Sequence, residues 1–236
     1  MTVSVSGSVA LVTGGNRGLG DRFVRALLEA GASKVYAAVR DPRKVTVGGV
    51  IPIALDVTDP AAVRAAAEEA SDVNLLINNA GSFFGGSVLE GDFDVFRKDY
   101  ETHVLGTLGV SRAFAPVLAR NGGGAILNVL SGLSWLAFPD VAGYCAAKSA
   151  AWSVTNALRL QLAGQGTQVS ALHVGYMDTD MVASLDVAKT DPAMVARIAL
   201  EGVDKGEYEI LADEVSRRVK GGLSAGVEAL YPQLAH

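Results

Sequence analysis

Cysteine is almost absent from this chain, Cys145 being the single one among 236 residues. One thiol cannot build an internal disulfide framework or a cysteine-rich metal site. Histidine is scarce too, at three residues, and no group of His, Cys or carboxylates has metal-ligand spacing, so no metal is expected. Long apolar runs are missing: no window approaches the roughly 20 residues needed to cross a bilayer. The start MTVSVSGSVALVTGG lacks the basic residues and long apolar stretch of a secretory signal. These absences predict a cytoplasmic protein that does not engage membranes. Positive charge is in deficit, with 20 Lys and Arg against 25 Asp and Glu, which disfavours phosphate backbones and anionic lipid as partners. The local exception is Arg17 with Arg40, Arg43 and Lys44, a basic group of a size to meet a phosphorylated small molecule.

Half of the residues are hydrophobic and only 19% are charged, a balance that fits a well-packed core rather than disorder. No repeat, low-complexity tail or Pro/Gly/Ser linker divides the chain, so residues 1–236 read as one domain. Short apolar runs alternate with longer segments of helical period, the order expected of a parallel sheet with helices on both faces. The strands are predicted at Val9–Thr13, Lys34–Val39, Val50–Leu55, Val73–Ile77, Ala125–Leu130, Gln168–Val174 and Tyr208–Leu211. Helices are predicted at Leu19–Ala30, Pro60–Ala70, Asp92–Arg120, Tyr144–Gly164 and Pro192–Lys205. Thr58-Asp59-Pro60 supports the second of these, because proline in a first turn has no N–H to lose.

The first strand runs into Thr13-Gly14-Gly15-Asn16-Arg17-Gly18-Leu19-Gly20 and then an amphipathic helix. Glycines 14, 18 and 20 allow close backbone approach to a pyrophosphate, and the helix N-terminus offers free N–H groups. Tyr144 and Lys148 are four residues apart and share a helix face, while Ser131 ends the preceding strand. Together the TGxxxGxG spacing and the Ser131, Tyr144, Lys148 set resemble the short-chain dehydrogenase/reductase family. The resemblance implies a Rossmann-type, doubly wound parallel seven-stranded sheet with helices on both faces in a single domain. It also implies carbonyl/alcohol interconversion with a nicotinamide cofactor.

The residue types suit that chemistry. Reduction of a ketone leaves a developing alkoxide that needs a proton, and tyrosine with a pKa near 10 yields one only if the phenolate is stabilised. The Lys148 ammonium and the positive ring of the oxidised cofactor both favour phenolate. Ser131 would hydrogen-bond the substrate oxygen, and Lys148 would also hold the nicotinamide ribose.

Further stretches match the family in order. Asn78-Asn79-Ala80-Gly81 resembles its NNAG element, so Asn79, Ala80 and Gly81 are expected to shape the cofactor groove with Gly14, Asn16, Arg17, Gly18, Leu19 and Gly20. Asp56 and Val57 match the pair that meets adenine, and Gly175 to Thr179 resembles the PGxxxT segment, with Thr179 toward the carboxamide. Two positions depart from the pattern. His103 replaces an Asn whose backbone carbonyl holds a relay water, either as a tolerated structural replacement, as an imperfect substitute for a side chain that holds a local helix distortion, or as a group titrating near neutral pH. Val174 stands where proline is usual, a change expected to loosen the backbone there. Cys145, His173 and His236 read as structural. The family pattern also implies a homo-oligomer, a dimer or more specifically a tetramer.

The second strand ends Tyr36-Ala37-Ala38-Val39-Arg40, with no carboxylate for the adenosine ribose. Arg40 and Arg17 instead suit a 2′-phosphate. NADPH is therefore the expected cofactor, unless a shift of register brings Asp41 to the ribose. Leu133, Trp135, Leu136, Phe138, Tyr176, Met177 and Met181, with Phe83 and Phe84, are the candidate substrate wall. Mostly apolar, they point to a small neutral ketone or aldehyde, and the short segment after Met181 to a small lid. The rival readings are an NAD-linked alcohol dehydrogenase and a non-catalytic NADP(H)-binding regulatory protein.

Overall fold

The computed structural model describes residues 4–234, so His236 lies outside the described residues. Seven strands form one sheet: β1 (Val9–Thr13), β2 (Lys34–Val39), β3 (Ile51–Ala54), β4 (Leu75–Asn78), β5 (Gly124–Val129), β6 (Thr167–His173) and β7 (Glu209–Leu211). Their order is β3-β2-β1-β4-β5-β6-β7, and every pairing is parallel. The apolar runs become the central strands because both faces are covered. Helices α1 (Gly18–Glu29) and, further on, α6 (Pro192–Asp204) bury Phe23, Leu27, Val195 and Ala199 against one face. On the other lie α2 (Pro60–Glu69), α4 (Thr107–Arg120) and α5 (Ala142–Leu162), contributing Val63, Phe114 and Leu158. This is the doubly wound sheet the sequence implies. The order of strand addition reverses between β1 and β4, a switch point that opens a crevice beyond their C-terminal ends.

Two features depart from the sequence reading. The continuous helix expected over Asp92–Arg120 is interrupted: α3 (Phe93–Tyr100) passes through a π-type turn at Glu101–Gly106 before α4 begins. Periodicity cannot register one extra residue in a turn, and such widened turns often mark functional positions. An unpredicted helix, α7 (Glu214–Gly222), follows β7. Its segment EVSRRVKGG has too little apolar pattern to be seen, but Asp213 and Ser216 form a reciprocal cap that was a readable signal. A short α8 (Val227–Leu230) follows it.

A buried polar thread aligns α5 with the sheet. Asn78 donates to Asn128 at 2.8 Å and to Ser111 at 3.0 Å, and Asn128 donates to Thr155 on α5 at 2.9 Å. Buried amides must be paired to avoid a desolvation cost, so the thread favours one setting of α5 and hence of Tyr144 and Lys148 near its start.

Candidate active site

The glycine loop lies at the C-terminal end of β1. Gly14 and Gly18 have φ of +68° and +52°, conformations that side chains resist. A Cβ on Gly20 would lie 2.1 Å from the Gly14 carbonyl oxygen, so only glycine lets α1 start this close to the loop. Helix α1 begins with no side-chain cap at Arg17, which leaves its first N–H groups free for an anion. This cradle fits a dinucleotide pyrophosphate. Thr179 faces Gly18 across it, its Cγ2 lying 3.6 Å from where a Cβ on Gly18 would stand. Asn79 spends its amide on the Thr13 carbonyl at 2.9 Å, and Thr13 Oγ1 accepts from the N–H groups of Asn79 and Ala80 at 2.9 and 3.0 Å. The Asn79 side chain thus braces the loop.

At the adenosine end, β2 stops at Val39 as drawn from sequence, so no register shift brings Asp41 to its tip. Asp41 turns into its own turn, accepting from the Arg43 backbone at 3.2 Å and the Arg43 guanidinium at 2.9 Å. That guanidinium holds the Asp41 carboxyl below its ordinary range. Arg17 and Arg40 are exposed, and neither forms a salt bridge among the described residues. Asp56 accepts from the Thr58 backbone and hydroxyl at 3.0 and 2.7 Å, which with nearby Arg40 keeps it ionised. Val57 abuts the π-type turn, 2.9 Å from where a Cβ on Gly106 would stand.

Ser131, Tyr144 and Lys148 come together where β5 meets α5. Burial raises the Tyr144 phenol well above its ordinary value, and a hydrogen bond with Ser131 offsets only part of this. Lys148 is buried, donates to the Val129 carbonyl at 2.9 Å, and lies 5.5 Å from the Tyr144 ring centre. Burial pushes its pKa down to about 7, against an upward pull from Asp99. Desolvation dominates at Tyr144 and outweighs the lowering expected from Lys148.

The Lys148 value has a measurable consequence. In the unfolded chain the lysine keeps its proton up to the ordinary 10.5, in the fold only to about 7. The unfolded state therefore binds more protons in that window, and wild-type stability rises with pH across it. Lys148→Met removes the buried charge. Its melting temperature should exceed that of wild type by most near pH 7, the gap closing toward pH 10; a pH-independent gap would exclude a depressed lysine.

His103 sits in the π-type turn, buried, its ring edge-on to Tyr144 at 5.1 Å and its Nε2 2.8 Å from the Ser82 carbonyl. Burial, with the Lys148 charge, lowers its pKa to about 3, so it stays neutral and does not titrate near pH 7. The ring explains Gly81, where a Cβ would stand 2.8 Å from His103 Cε1. One turn earlier lies Asp99, wholly buried, with Oδ1 accepting from Ser82 Oγ at 3.1 Å and Oδ2 without a partner. Burial raises its pKa, and the Ser82 hydrogen bond and the Lys148 charge oppose the rise. The sequence analysis missed this carboxylate, for which only its four-residue spacing from His103 was a signal.

At Val174, where proline is usual, the backbone has other restraints. The side chain is buried in the core, the carbonyl accepts from Gly132 N–H at 3.1 Å, and Gly175 N–H donates to Asp213 at 2.7 Å. Packing and hydrogen bonds hold the backbone that proline would otherwise restrict. Of the proposed substrate wall, Leu133, Leu136 and Tyr176 are half-buried, and Phe138 and Met181 are exposed at 42% and 46%. Phe83 lies edge-on to Tyr144 at 5.1 Å, whereas Phe84 is exposed. Met177 is half-buried and packs against the core, and Trp135 stacks on His173. The segment after Thr179 is a short turn at Asp180–Val182, and Thr190 closes its base on Tyr176 at 2.8 Å. Cys145 is buried, its thiol pushed up by desolvation, which leaves it unreactive.

The family model for short chain dehydrogenases matches residues 8–190. The chain belongs to the short-chain dehydrogenase/reductase family. As a member it is an oxidoreductase. Among its relatives, the 3alpha-hydroxysteroid dehydrogenase of Mediterraneibacter gnavus is 30% identical, the match covering 94% of this chain and 96% of that one. A short chain dehydrogenase from Burkholderia cenocepacia, solved in complex with NADP, superposes with a TM-score of 0.94 at 37% identity, over 99% of this chain and 100% of that one. A 3-ketoacyl-(acyl-carrier-protein) reductase from Brucella melitensis, complexed with NADH, has a TM-score of 0.81 at 26% identity, over 90% and 100%. Among the described residues, no helix of this family member is long and apolar enough to cross a membrane.

Proposed function

We propose that this chain reduces a small neutral ketone or aldehyde to an alcohol with NADPH, and that Tyr144 supplies the proton. The observation that carries the reading is the gathering of Ser131, Tyr144 and Lys148 beside the glycine cradle, with the Lys148 ammonium 5.5 Å from the Tyr144 ring centre. When bound, the cofactor delivers hydride to the carbonyl carbon. Tyr144 gives its hydroxyl proton to the carbonyl oxygen as negative charge develops there, and Ser131 hydrogen-bonds the same oxygen. The phenolate left behind is stabilised by Lys148, whose own proton becomes easier to hold once a negative charge forms nearby. His103 acts as a neutral wall of this pocket and Asp99 as a counter-charge for Lys148.

NADPH over NADH is supported by the exposed Arg17 and Arg40, which form no salt bridge among the described residues, and by Asp41 bound to Arg43. The NADP held by the Burkholderia cenocepacia relative agrees, while the NADH on the Brucella melitensis relative makes the choice one to measure. Leu133, Leu136, Phe138, Tyr176 and Met181 offer the substrate no charge, hence a neutral carbonyl. Self-association belongs to the same reading, through the apolar face between α3 and α5 that carries Phe96, Tyr100, Leu105 and Ala146.

The test is oxidation of NADPH and NADH followed at 340 nm against cyclohexanone, acetophenone, benzaldehyde and a 3-ketosteroid. Turnover with NADPH, far weaker with NADH, is expected. The reverse preference would move the assignment to an NAD-linked dehydrogenase. Tight NADPH binding without turnover of any of the four would favour a regulatory cofactor-binding protein.

A further inference from the structure

A buried polar cluster that the proposed chemistry does not use meets the backbone of Ser131. His173, the last residue of β6, is fully buried, and its Nδ1 lies 3.0 Å from the Ser131 carbonyl oxygen. That oxygen also accepts from Ser134 N–H at 3.0 Å. The other ring nitrogen stands 2.8 Å from Glu209 Oε2, without hydrogen-bond alignment. Glu209 opens β7, and its second oxygen accepts from Trp152 Nε1 of α5 at 3.0 Å. Two cations complete its surroundings, Arg159 of α5 at 3.7 Å and Lys220 of α7 at 3.9 Å. Trp135 lies flat on the imidazole, with ring centres 3.7 Å apart and an 18° angle, and the Lys220 ammonium sits 4.5 Å from the Trp135 ring centre.

Such a cluster is costly to bury. Its neighbours in sequence, Leu172 and Val174, are apolar and buried, and an apolar residue at 173 would fill the space without desolvating an imidazole. Packing alone therefore does not account for the choice. The Ser131–His173–Glu209 order is not a nucleophile with its base, because the ring meets the serine carbonyl. The Ser131 hydroxyl has its own contacts, accepting from Leu133 N–H at 3.1 Å and lying 3.4 Å from the Val174 carbonyl. What the ring controls is where the backbone of residue 131 lies just beyond the end of β5.

We infer that His173, held by Glu209 and the Trp135 ring, is a positioning residue that sets the Ser131 hydroxyl toward the substrate oxygen. This rests on reading Ser131 as the group that binds that oxygen. The donor facing Ser131 is the part that matters; the contact with Glu209 and the Trp135 stack hold the ring's orientation. Small displacements of a group that orients a reacting atom cost on the order of 10²-fold in rate.

Two amide substitutions separate the two nitrogens. His173→Asn places its donor near Nδ1 and keeps the bond to Ser131, whereas His173→Gln reaches toward Glu209 and abandons Ser131. With the fastest ketone of the panel in single-turnover stopped flow, His173→Asn should stay near wild type. His173→Gln should slow by about 10-fold to 100-fold, with NADPH affinity unchanged by fluorescence titration in both. Equal slowing of both variants in step with their melting temperatures would overturn the inference in favour of plain core packing, as would two wild-type rates. If His173→Gln does not fold, Glu209→Gln replaces it, and an unchanged rate there also overturns the proposal. Ser131→Ala separates the two levels: if it leaves the rate intact, the reading of Ser131 fails first.

Discussion

Tyr144→Phe should lower turnover with NADPH by roughly 10²-fold to 10⁴-fold, the range in which positioned proton transfer contributes. The variant removes one hydroxyl and little else. Phenylalanine keeps the edge-on contacts with Phe83 and His103, both at 5.1 Å in wild type, so the wall of the pocket stays in place. It also removes a hydroxyl on a half-buried ring whose own proton is held more firmly than usual, so folding should not suffer. Cofactor affinity by fluorescence titration should match wild type, and the loss should appear in kcat rather than in KM, as for an interaction made in the transition state. Turnover that survives within about 10-fold would mean that the proton reaches the alkoxide by another route, and Tyr144 would lose its assigned role.

The second large effect is expected at the adenosine end. Arg17→Ala with Arg40→Ala removes both guanidinium groups assigned to the 2′-phosphate, each charge-assisted hydrogen bond contributing about 1.5 to 3 kcal/mol. The combined change should reduce the preference for NADPH over NADH by on the order of 10²-fold or more, nearly all of it through NADPH. NADH should be little affected, since no carboxylate at the tip of β2 is available to bind its ribose hydroxyl: the strand ends at Val39, and Asp41 is bound to Arg43. The measurement is kcat/KM with each cofactor at one ionic strength, because exposed charges are screened. Equal losses with both cofactors would place the arginines on the shared pyrophosphate instead and remove the basis for an NADPH preference.

The parts of this protein that were legible without coordinates are those encoded locally. Strand β1 is recognisable because Val9 to Thr13 must be apolar on both faces, and the loop after it because Gly14 and Gly18 need positive φ and Gly20 admits no Cβ. Tyr144 and Lys148 are a pair because a helix brings residues four apart to one face. The π-type turn at Glu101–Gly106 was not legible, since a single added residue leaves the apolar period nearly unchanged. Helix α7 was overlooked because it is held by its cap at Asp213 and Ser216 and by few apolar contacts.

The amino-acid sequence by itself determined the fold class, the place of the glycine cradle and the identity of the Ser131, Tyr144 and Lys148 set. All of these follow from short-range periodicity, backbone conformation and residue chemistry. Only the tertiary structure decided the surroundings that shift the set's pKa values, because these depend on the half-buried Tyr144, the buried Lys148 and Asp99, which joins them from another helix. It alone also stacked Trp135 on His173 and set His173 against Ser131 from 42 residues away in sequence. Long-range contacts of this kind arise when seven strands are laid side by side, and no local pattern in the chain records which strand ends will meet.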